Sequence, residues 1–236
     1  MRAMPPRKTP STSETLPAEM PQAPGLDART RLLLHAARLF SEQGFDAVTT
    51  REICTEAACN PGAIHYHFGD KDSLYREVLL HPIREMCARF AGFDDPVLSL
   101  EQALHRFLMP FLLKPDEELG FDPMRLFLRE QLDPSAVFTQ TLTEYIGPQH
   151  HALAKLLARH IGVAEPDAAV HQLAYGLVAM AHDYCLSRTF MDALTPGLLN
   201  NDPKLEGVHR RIVEWGVALV EAERTRRNSE LNATDL

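Results

Sequence analysis

The segment from Thr49 to Lys71, TTREICTEAACNPGAIHYHFGDK, carries helix start and stop signals only a few residues apart. Thr49 is followed three residues later by Glu52, which is the spacing of a capping box. In that arrangement each side chain accepts a hydrogen bond from the other residue's backbone N–H, so a helix begins there. Signals this dense confine the segment to short helices and tight turns.

The second half of the segment repeats the same kind of signal. Asn60 is a residue type that caps helices, and Pro61 would occupy the first turn, where its missing N–H costs nothing. Gly69 then ends this helix, and Asp70 caps a longer one from about residue 71 to 90. The sequence therefore predicts two short helices joined by a tight turn and followed at once by a third helix.

The rest of the chain also has helical periodicity. Asp27 is a plausible cap for a first helix, whose apolar residues recur at helical spacing until Gly44. Apolar residues recur at intervals of three and four in the segments 99–114, 121–132, 135–162, 167–190 and 204–226. Pro110 and Pro148 should kink or split their helices. Because no run alternates with a period of two, the predicted fold class is all-α.

Composition limits the surroundings of the chain. Residues 1–26 are rich in proline, serine and threonine, so they are predicted to form a disordered tail, and residues 227–236 a second tail. Four cysteines lack metal-site spacing, which favours reduced thiols and a cytoplasmic protein: Cys54, Cys59, Cys87 and Cys185. No apolar run approaches the ~20 residues that span a bilayer, so we expect no membrane partner.

The second short helix would present a distinctive outer face. Two short helices joined by a tight turn are the layout of a helix-turn-helix, in which the second helix enters the major groove of DNA. Ile64 and Phe68, four residues apart, should face the core. The small residues at the start of the helix would then be exposed and could approach DNA closely. On that face Ala63 and His65 are candidates for contacts with base edges. The candidates for phosphate contacts are Thr50, Arg51, Tyr66, His67 and Lys71.

Charge argues against a simple electrostatic picture of DNA binding. The net formal charge of the 236 residues is −8, whereas nucleic-acid-binding domains are commonly basic. From Asp27 to Lys71 the cationic and anionic side chains nearly balance. We therefore expect modest, salt-sensitive affinity for random DNA, with specific binding dependent on dimerisation and short-range contacts.

The segment from about Asp27 to Leu80 resembles the DNA-binding domain of the TetR family of repressors. The resemblance rests on RLLLHAARLFSEQGFDAVTTREI and on PGAIHYHFGDKDSLYREVL, whose HYHF followed by a nearby lysine is the most diagnostic part. It implies a DNA surface lined by Thr50, Asn60, Gly62, Ala63, His65, Tyr66, His67 and Lys71. Two positions depart from the family pattern: Ala58 stands where the turn usually has glycine, and His65 replaces a frequent tyrosine.

The C-terminal part, from RLFLREQLDP to ARHIGV, is similar to a TetR subgroup with a CecR-like C-terminal domain, associated with transport and drug-sensitivity genes. The resemblance implies a DNA-binding domain at 27–80 and an effector-binding and dimerisation domain at 81–226. Apolar stripes on the last two long helices are predicted to form a four-helix dimer interface. Its residues are Leu173, Leu177, Met180, Ala181, Tyr184, Val208, Ile212, Trp215 and Leu219.

An effector pocket in this domain would need apolar walls and a few polar anchors. The candidates for the walls are Leu108, Phe111, Met124 and Phe127. The candidates for the anchors are Arg129, Glu130, His151, His182 and Tyr184. The predicted partners are therefore double-stranded operator DNA, a second copy of the chain and an unidentified small molecule.

The sequence gives less support to three other classes of protein. An enzyme is not expected, because no nucleophile has a base aimed at it, and no cofactor is expected. A metal sensor is the alternative, with ligands from His150, His151 and His160, or from His182, Asp183 and Cys185. A purely structural helical protein would not need the surface between residues 60 and 71.

Overall fold

The computed structural model describes residues 26–112, 123–199, 202 and 205–234. The predicted disorder of residues 1–25, and the predicted helix ends at 113–114 and 121–122, lie outside the described residues. Within these ranges the chain is helical with no strand, so the all-α prediction is confirmed. The helices are α1 (Ala28–Gln43), α2 (Thr50–Glu56), α3 (Ala63–Phe68), α4 (Lys71–Arg89), α5 (Leu100–Leu112), α6 (Pro123–Leu132), α7 (Ala136–Thr141), α8 (Gly147–Ile161), α9 (Ala168–Leu186), α10 (Arg188–Leu194) and α11 (Glu206–Thr234).

Helices α1 to α4 form an N-terminal unit around a compact aromatic core. The Phe40 ring meets the Tyr75 ring edge-on with centroids 4.7 Å apart, and Phe45 lies equally close to Tyr75. Asp27 accepts a hydrogen bond from the Thr30 N–H at 2.7 Å, which confirms the predicted cap of α1. The first helix therefore ends and begins as the sequence predicts, with Gly44 following its last residue.

Helices α5, α8, α9 and α11 form the C-terminal body. Its core is built from side chains that are almost entirely buried, among them Leu104, Leu108, Leu153, Leu157, Leu177 and Ile212. Gly216 marks the closest approach of α11 to its neighbours. A Cβ there would lie 2.9 Å from Leu104 Cδ1 and 3.0 Å from Leu177 Cδ2, so only glycine fits without displacement.

A seam formed by α6 and α7 joins the two parts. These helices pack on α1 and α4, and their Leu126 and Phe138 side chains complete the core of the N-terminal unit. Helix α4 runs from one part into the other. A domain boundary at residue 80 would fall inside this helix, so the division at 80 remains a proposal.

Helix α5 and the segment 167–190 differ from the sequence prediction, whereas the start of α8 agrees with it. Helix α5 continues through Pro110, which was expected to kink or split it, and the predicted helix over 167–190 is two helices that meet at Ser187. A π-helical turn over Leu142–Ile146 precedes α8, and Pro148 lies in the first turn of α8, which confirms a break near that proline.

The last helix was predicted to end near residue 226, with a tail after it. Instead α11 continues to Thr234, so residues 227–234 are helical. Ion pairs support this extension. Arg226 binds both Glu223 and Glu230, and Arg227 binds Glu223 as well as Asp167 at the start of α9. Such pairs along one helix face and to a neighbouring helix favour continued helix over coil.

Candidate nucleic-acid interface

The capping box at the start of α2 is confirmed. The Glu52 N–H donates to Thr49 Oγ1 at 3.2 Å, and the Thr49 N–H donates to a Glu52 carboxylate oxygen at 2.8 Å. These bonds fix where α2 begins, and they leave Thr50 and Arg51 exposed at its first turn. The N-terminus of α2 is thus held by its own residues.

The turn after α2 is closed by the backbone. The Cys59 N–H donates to the Cys54 carbonyl oxygen at 2.8 Å, which is the six-residue hydrogen bond of a Schellman motif. Ala58 lies between them with φ of +49°, in the left-handed region where a Cβ is unfavourable. The backbone is therefore strained at this alanine, at the position where the family usually has glycine.

Helix α3 begins later than predicted. Asn60 does not cap it, and Pro61 lies before its first turn, because the N-cap residue is Gly62 and no side chain bonds there. The Ala63 N–H donates to the Asn60 carbonyl oxygen at 2.9 Å, so residues 60–63 form a separate turn. The helix is consequently only six residues long and depends on packing for its stability.

The inner face of α3 holds it to the core. Ile64 is buried and Phe68 packs against the N-terminal core, as the spacing predicts. On the outer face Tyr66 is 85% exposed, with the half-buried His67 ring edge-on to it at 4.8 Å. His65 is exposed, and its Nδ1 is 2.7 Å from the Gly69 carbonyl oxygen. That bond leaves the outer Nε2 atom of His65 to face a partner.

Two cationic side chains flank α3. Arg51 is exposed at the start of α2. Lys71 begins α4, and its Nζ atom lies 4.2 Å from the centre of the Phe45 ring. The two lie at the first turns of the helices before and after α3, where helix dipoles also favour a phosphate.

The acidic residues of the unit are mostly held in internal bonds. Asp27, Glu52 and Asp70 accept cap hydrogen bonds, which hold the pKa of each carboxyl below its ordinary value. Arg38 forms ion pairs with Glu42 at 3.2 Å and Glu56 at 2.8 Å. A hydrogen-bonded carboxylate keeps its negative charge, and Glu52 and Asp70 are both exposed. The near balance of charge counted from the sequence therefore also holds around α3, because Arg51 and Lys71 each lie next to one of these carboxylates in the chain.

The predicted DNA residues lie on this accessible side of the N-terminal unit. Six of them are exposed: Thr50, Arg51, Asn60, Gly62, His65 and Tyr66. Ala63, His67 and Lys71 are half-buried. Their individual contacts with DNA stay predictions.

The predicted effector residues do not form one site. Phe111, Phe127 and His182 come together, with the His182 ring 4.8 Å from Phe111 and 6.0 Å from Phe127. Burial lowers the pKa of His182, which favours its neutral form. Leu108 is fully buried in the C-terminal core, while Met124 and Tyr184 are half-buried. The aromatic cluster of Phe111, Phe127 and His182 is thus the part of the predicted set that stays together.

Arg129 and Glu130 have a different role from the predicted pocket anchors. The Arg129 guanidinium donates to the carbonyl oxygens of Glu42 at 3.2 Å and Gln43 at 2.9 Å, at the end of α1. The buried Glu130 carboxylate accepts from the Tyr75 hydroxyl and from the Ser135 N–H. Both side chains are used to hold α6 against the N-terminal unit, which sequence periodicity could not reveal.

His151 also lies away from the aromatic cluster. It is exposed on α8, and its Nδ1 is 2.7 Å from the Gly147 carbonyl oxygen. Its neighbour His150 is instead paired with His171 of α9, with nitrogen atoms 3.0 Å apart, and stacks on Tyr175. Two surface depressions of about 620 Å³ each, lined by residues of 136–144 and 155–165, include none of the predicted effector residues.

Only part of the predicted dimer stripe is available on the surface of the subunit. Leu177, Ala181 and Ile212 are fully covered by their own chain, so their side chains are not available to a partner. Leu173, Met180, Tyr184 and Val208 are half-buried against the same core. Trp215 and Leu219, each 43% exposed, remain on the surface. The prediction was wrong for the buried residues because α5 covers the stripe from inside the subunit.

The exposed faces of α9 and α11 also carry aromatic and small residues that are not part of the predicted dimer stripe. Tyr175 of α9 is 64% exposed beside the exposed Gly176 and Ala179, and Ala218 is exposed between Trp215 and Leu219 of α11. Small residues spaced three and four apart beside an aromatic side chain were the available signal. Periodicity alone could not distinguish this face from the buried one.

No group of three or more potential metal ligands occurs among the described residues. The side chain of Cys185 lies outside them. The same part of the chain contains no helix both long and apolar enough to cross a lipid bilayer.

Two family models match the chain. Residues 32–78 match bacterial regulatory proteins of the tetR family, and residues 96–222 match the C-terminal domain of the HTH-type transcriptional dual regulator CecR. The second match covers more than half of the chain. The chain therefore belongs to the TetR family of bacterial regulatory proteins, with a CecR-type C-terminal domain.

Individual relatives agree with this assignment. UidR of Escherichia coli K12 is 37% identical over 62 residues, which span 26% of this chain and only 32% of UidR. The repressor AcnR of Corynebacterium glutamicum is 28% identical over 187 residues, spanning 78% of this chain and 94% of AcnR. A putative transcriptional regulator of Pseudomonas aeruginosa PAO1 has the same fold, with a TM-score of 0.62, 22% identity, and coverage of 84% and 92%.

Proposed function

We propose that the chain is a homodimeric repressor that binds a pseudo-palindromic operator and leaves it when a small molecule binds the C-terminal body. The observation that carries the proposal is the exposed outer face of α3, with Tyr66 at its centre and Arg51 and Lys71 on either side. In a symmetric dimer two such faces would enter successive major grooves, about one helical turn apart. AcnR, similar along most of its length, is itself a repressor.

Each part of this face has a distinct proposed role. His65 presents its Nε2 atom to base edges, and Ala63 can touch a thymine methyl group. Tyr66, His67 and Thr50 bond phosphate oxygens, while Arg51 and Lys71 add positive charge at the two flanks. Asn60 and Gly62 line the turn that lets the start of α3 come close to the DNA backbone.

The DNA proposal is tested by fluorescence anisotropy with an operator, beginning with DNA upstream of the protein's own gene and, if needed, sequences selected from random DNA. We expect tight, sequence-selective binding that weakens as salt rises. Tyr66→Ala should weaken operator binding strongly, because it removes a proposed phosphate contact from each half-site. Phe190→Ala, which changes another exposed aromatic residue on α10, should bind like the wild type. Equal operator affinity of wild type and Tyr66→Ala would refute the proposal.

The dimer interface is proposed for the exposed faces of α9 and α11. These helices pack together, and their outward residues Tyr175, Trp215 and Leu219 are unusually apolar for a surface. Gly176, Ala179 and Ala218 would allow close approach of a second copy. Two helices from each subunit would then make a four-helix bundle.

Sedimentation equilibrium tests this interface. Trp215→Ala should raise the dimer dissociation constant by more than tenfold, because a large aromatic anchor near the centre of an interface is worth about 2 kcal/mol or more. Leu132→Ala, at an apolar residue exposed elsewhere on the surface, is the matched control. A Trp215→Ala protein that dimerises as the wild type does would exclude this face.

The effector site is proposed around Phe111, Phe127 and His182. This aromatic cluster lies beside the α6–α7 seam, because Phe127 also packs edge-on against Phe138 at 5.8 Å. A ligand that separates these rings would move α6, and with it the Arg129 and Glu130 bonds to the N-terminal unit. Genes of transport or drug sensitivity are proposed as targets from the CecR-type similarity.

Thermodynamic linkage gives the test of effector control. A panel of apolar aromatic drugs would be screened for thermal stabilisation of the full chain, and each hit titrated with and without operator. The operator must weaken drug binding by the same factor by which the drug weakens operator binding. A drug that displaces operator yet binds equally well in both states would contradict the mechanism.

A further inference from the structure

Two cysteines are joined by a backbone hydrogen bond across the turn that follows α2. The Cys59 N–H bonds the Cys54 carbonyl oxygen at 2.8 Å, and Ala58 with its positive φ reverses the chain between them. In a Schellman motif the side chains at these two positions characteristically contact each other. The backbone therefore brings the two cysteines to the positions of a Schellman turn whose side chains commonly contact each other, and the thiols are near enough for Cys59 to raise the pKa of Cys54.

The two thiols have different surroundings. Cys54 is 2% exposed, with Sγ 3.7 Å from the Pro61 carbonyl oxygen, and burial raises the pKa of its thiol, as does the neighbouring Cys59. Cys59 is half-buried, and its Sγ lies 3.5 Å from Nη2 of Arg31 and 3.4 Å from the Ala57 carbonyl oxygen. Thiols that oxidants reach are typically partly exposed and close to a cation.

We propose that Cys54 and Cys59 form a redox site that peroxides convert into a disulfide. In the first step peroxide oxidises the Cys59 thiol to a sulfenic acid and is reduced to water. In the second step the Cys54 sulfur attacks the Cys59 sulfur, the S–O bond breaks, and the departing hydroxide takes the Cys54 proton as a second water. The net reaction consumes two thiols and one peroxide and gives one disulfide and two waters.

The disulfide would act on DNA binding through the turn. A disulfide requires the two Cβ atoms to be about 3.8 Å apart with a fixed dihedral preference, which free thiols in contact do not require. Forming it withdraws the Cys59 sulfur from Arg31 and Ala57, contacts that tie the turn to α1 and α2. Since Cys59 leads directly into the turn at 60–63, the position of α3 changes, and operator affinity falls.

Peptide mass measurement tests the chemistry without DNA. Trypsin cuts after Arg51 and Lys71, so both cysteines lie in one peptide, residues 52–71. After hydrogen peroxide treatment of the full chain, we expect this peptide to be lighter by two hydrogen atoms and to take up no iodoacetamide. In untreated protein it should take up two alkyl groups. Persistence of two alkylated thiols after a peroxide dose that oxidises Cys87 would overturn the proposal.

Operator binding tests the consequence, which rests on the proposed DNA-binding function. Peroxide should lower operator affinity by about tenfold or more, with recovery in dithiothreitol and no loss in Cys59→Ser. Cys87→Ser, at a half-buried thiol of α4, should respond as the wild type does. A loss in Cys59→Ser equal to that of the wild type would overturn the regulatory role. Cys54→Ala is a second variant, and peroxide should not lower its operator affinity either. If the reduced wild-type protein binds no operator, the DNA-binding proposal is refuted, whereas the disulfide chemistry is still tested by peptide mass.

Discussion

The N-terminal unit and the C-terminal body are held together in different ways. In the N-terminal unit, hydrogen bonds within a few residues set the ends of helices: the Thr49–Glu52 box and the Schellman turn for α2, and the Asp70 cap for α4. In the C-terminal body, long helices depend on close packing, as at Gly216. The DNA-facing surface is therefore sensitive to small local changes, whereas the body is sensitive to loss of buried volume.

The largest change in the free energy of unfolding is expected when a buried side chain of the C-terminal body is shortened. Leu177→Ala should lower the free energy of unfolding by about 3 kcal/mol, because it removes fully buried methyl groups and leaves a cavity between α5, α9 and α11. Urea unfolding of the full chain at a fixed protein concentration measures this change. A loss no greater than that of Leu194→Ala, at an exposed leucine of α10, would mean that the body does not depend on this core.

The second largest change in the free energy of unfolding is expected at the seam formed by α6 and α7. Tyr75→Phe removes the hydroxyl that donates to the buried Glu130 carboxylate, and a buried acceptor that loses its donor costs about 1–3 kcal/mol. Tyr66→Phe, an identical change at an exposed residue, should leave the free energy of unfolding unchanged. If both variants unfold at the same urea concentration, the Tyr75–Glu130 bond does not hold the seam.

Removal of a local cap should have a smaller effect. Thr49→Ala should lower the free energy of unfolding by about 1 kcal/mol, because it removes the hydroxyl that accepts from the Glu52 N–H and donates to the Glu52 carboxylate. Thr50→Ala, one position later and exposed, is the matched control. Chemical denaturation of both variants measures the difference, and equal stability would mean that α2 does not depend on its cap.

The smallest expected change is an increase in the free energy of unfolding. Ala58→Gly should raise the free energy of unfolding by about 0.5 kcal/mol, because glycine adopts the positive φ of this position without strain. Ala47→Gly, in a turn without a positive φ, should instead be neutral or destabilising. A less stable Ala58→Gly protein would show that the turn is not strained by its alanine.

Sequence reasoning succeeded where the determining contacts are local. The caps at Asp27, Thr49 and Asp70 were predicted because cap and partner lie three residues apart. The start of α3 was missed because the Asn-Pro-Gly run can also close a separate turn. Side-chain types alone do not distinguish the two outcomes.

The predictions failed where distant elements decide burial. The stripe of Leu177 and Ile212 has the periodicity of an interface, yet α5 covers it from within the subunit. Arg129 and Glu130 find partners 55 or more residues away, at the end of α1 and in α4. A sequence pattern gives the faces of a helix but not the element that covers each face.

The most direct test of the DNA-reading surface is the ratio of affinities for operator and unrelated DNA, measured for the wild type and for His65→Ala. We expect the ratio to fall by about tenfold or more, because a base-edge contact is worth about 1–3 kcal/mol of discrimination. Affinity for unrelated DNA should stay unchanged, because phosphate contacts remain. An unchanged ratio in His65→Ala would contradict the claim that the outer face of α3 reads the bases.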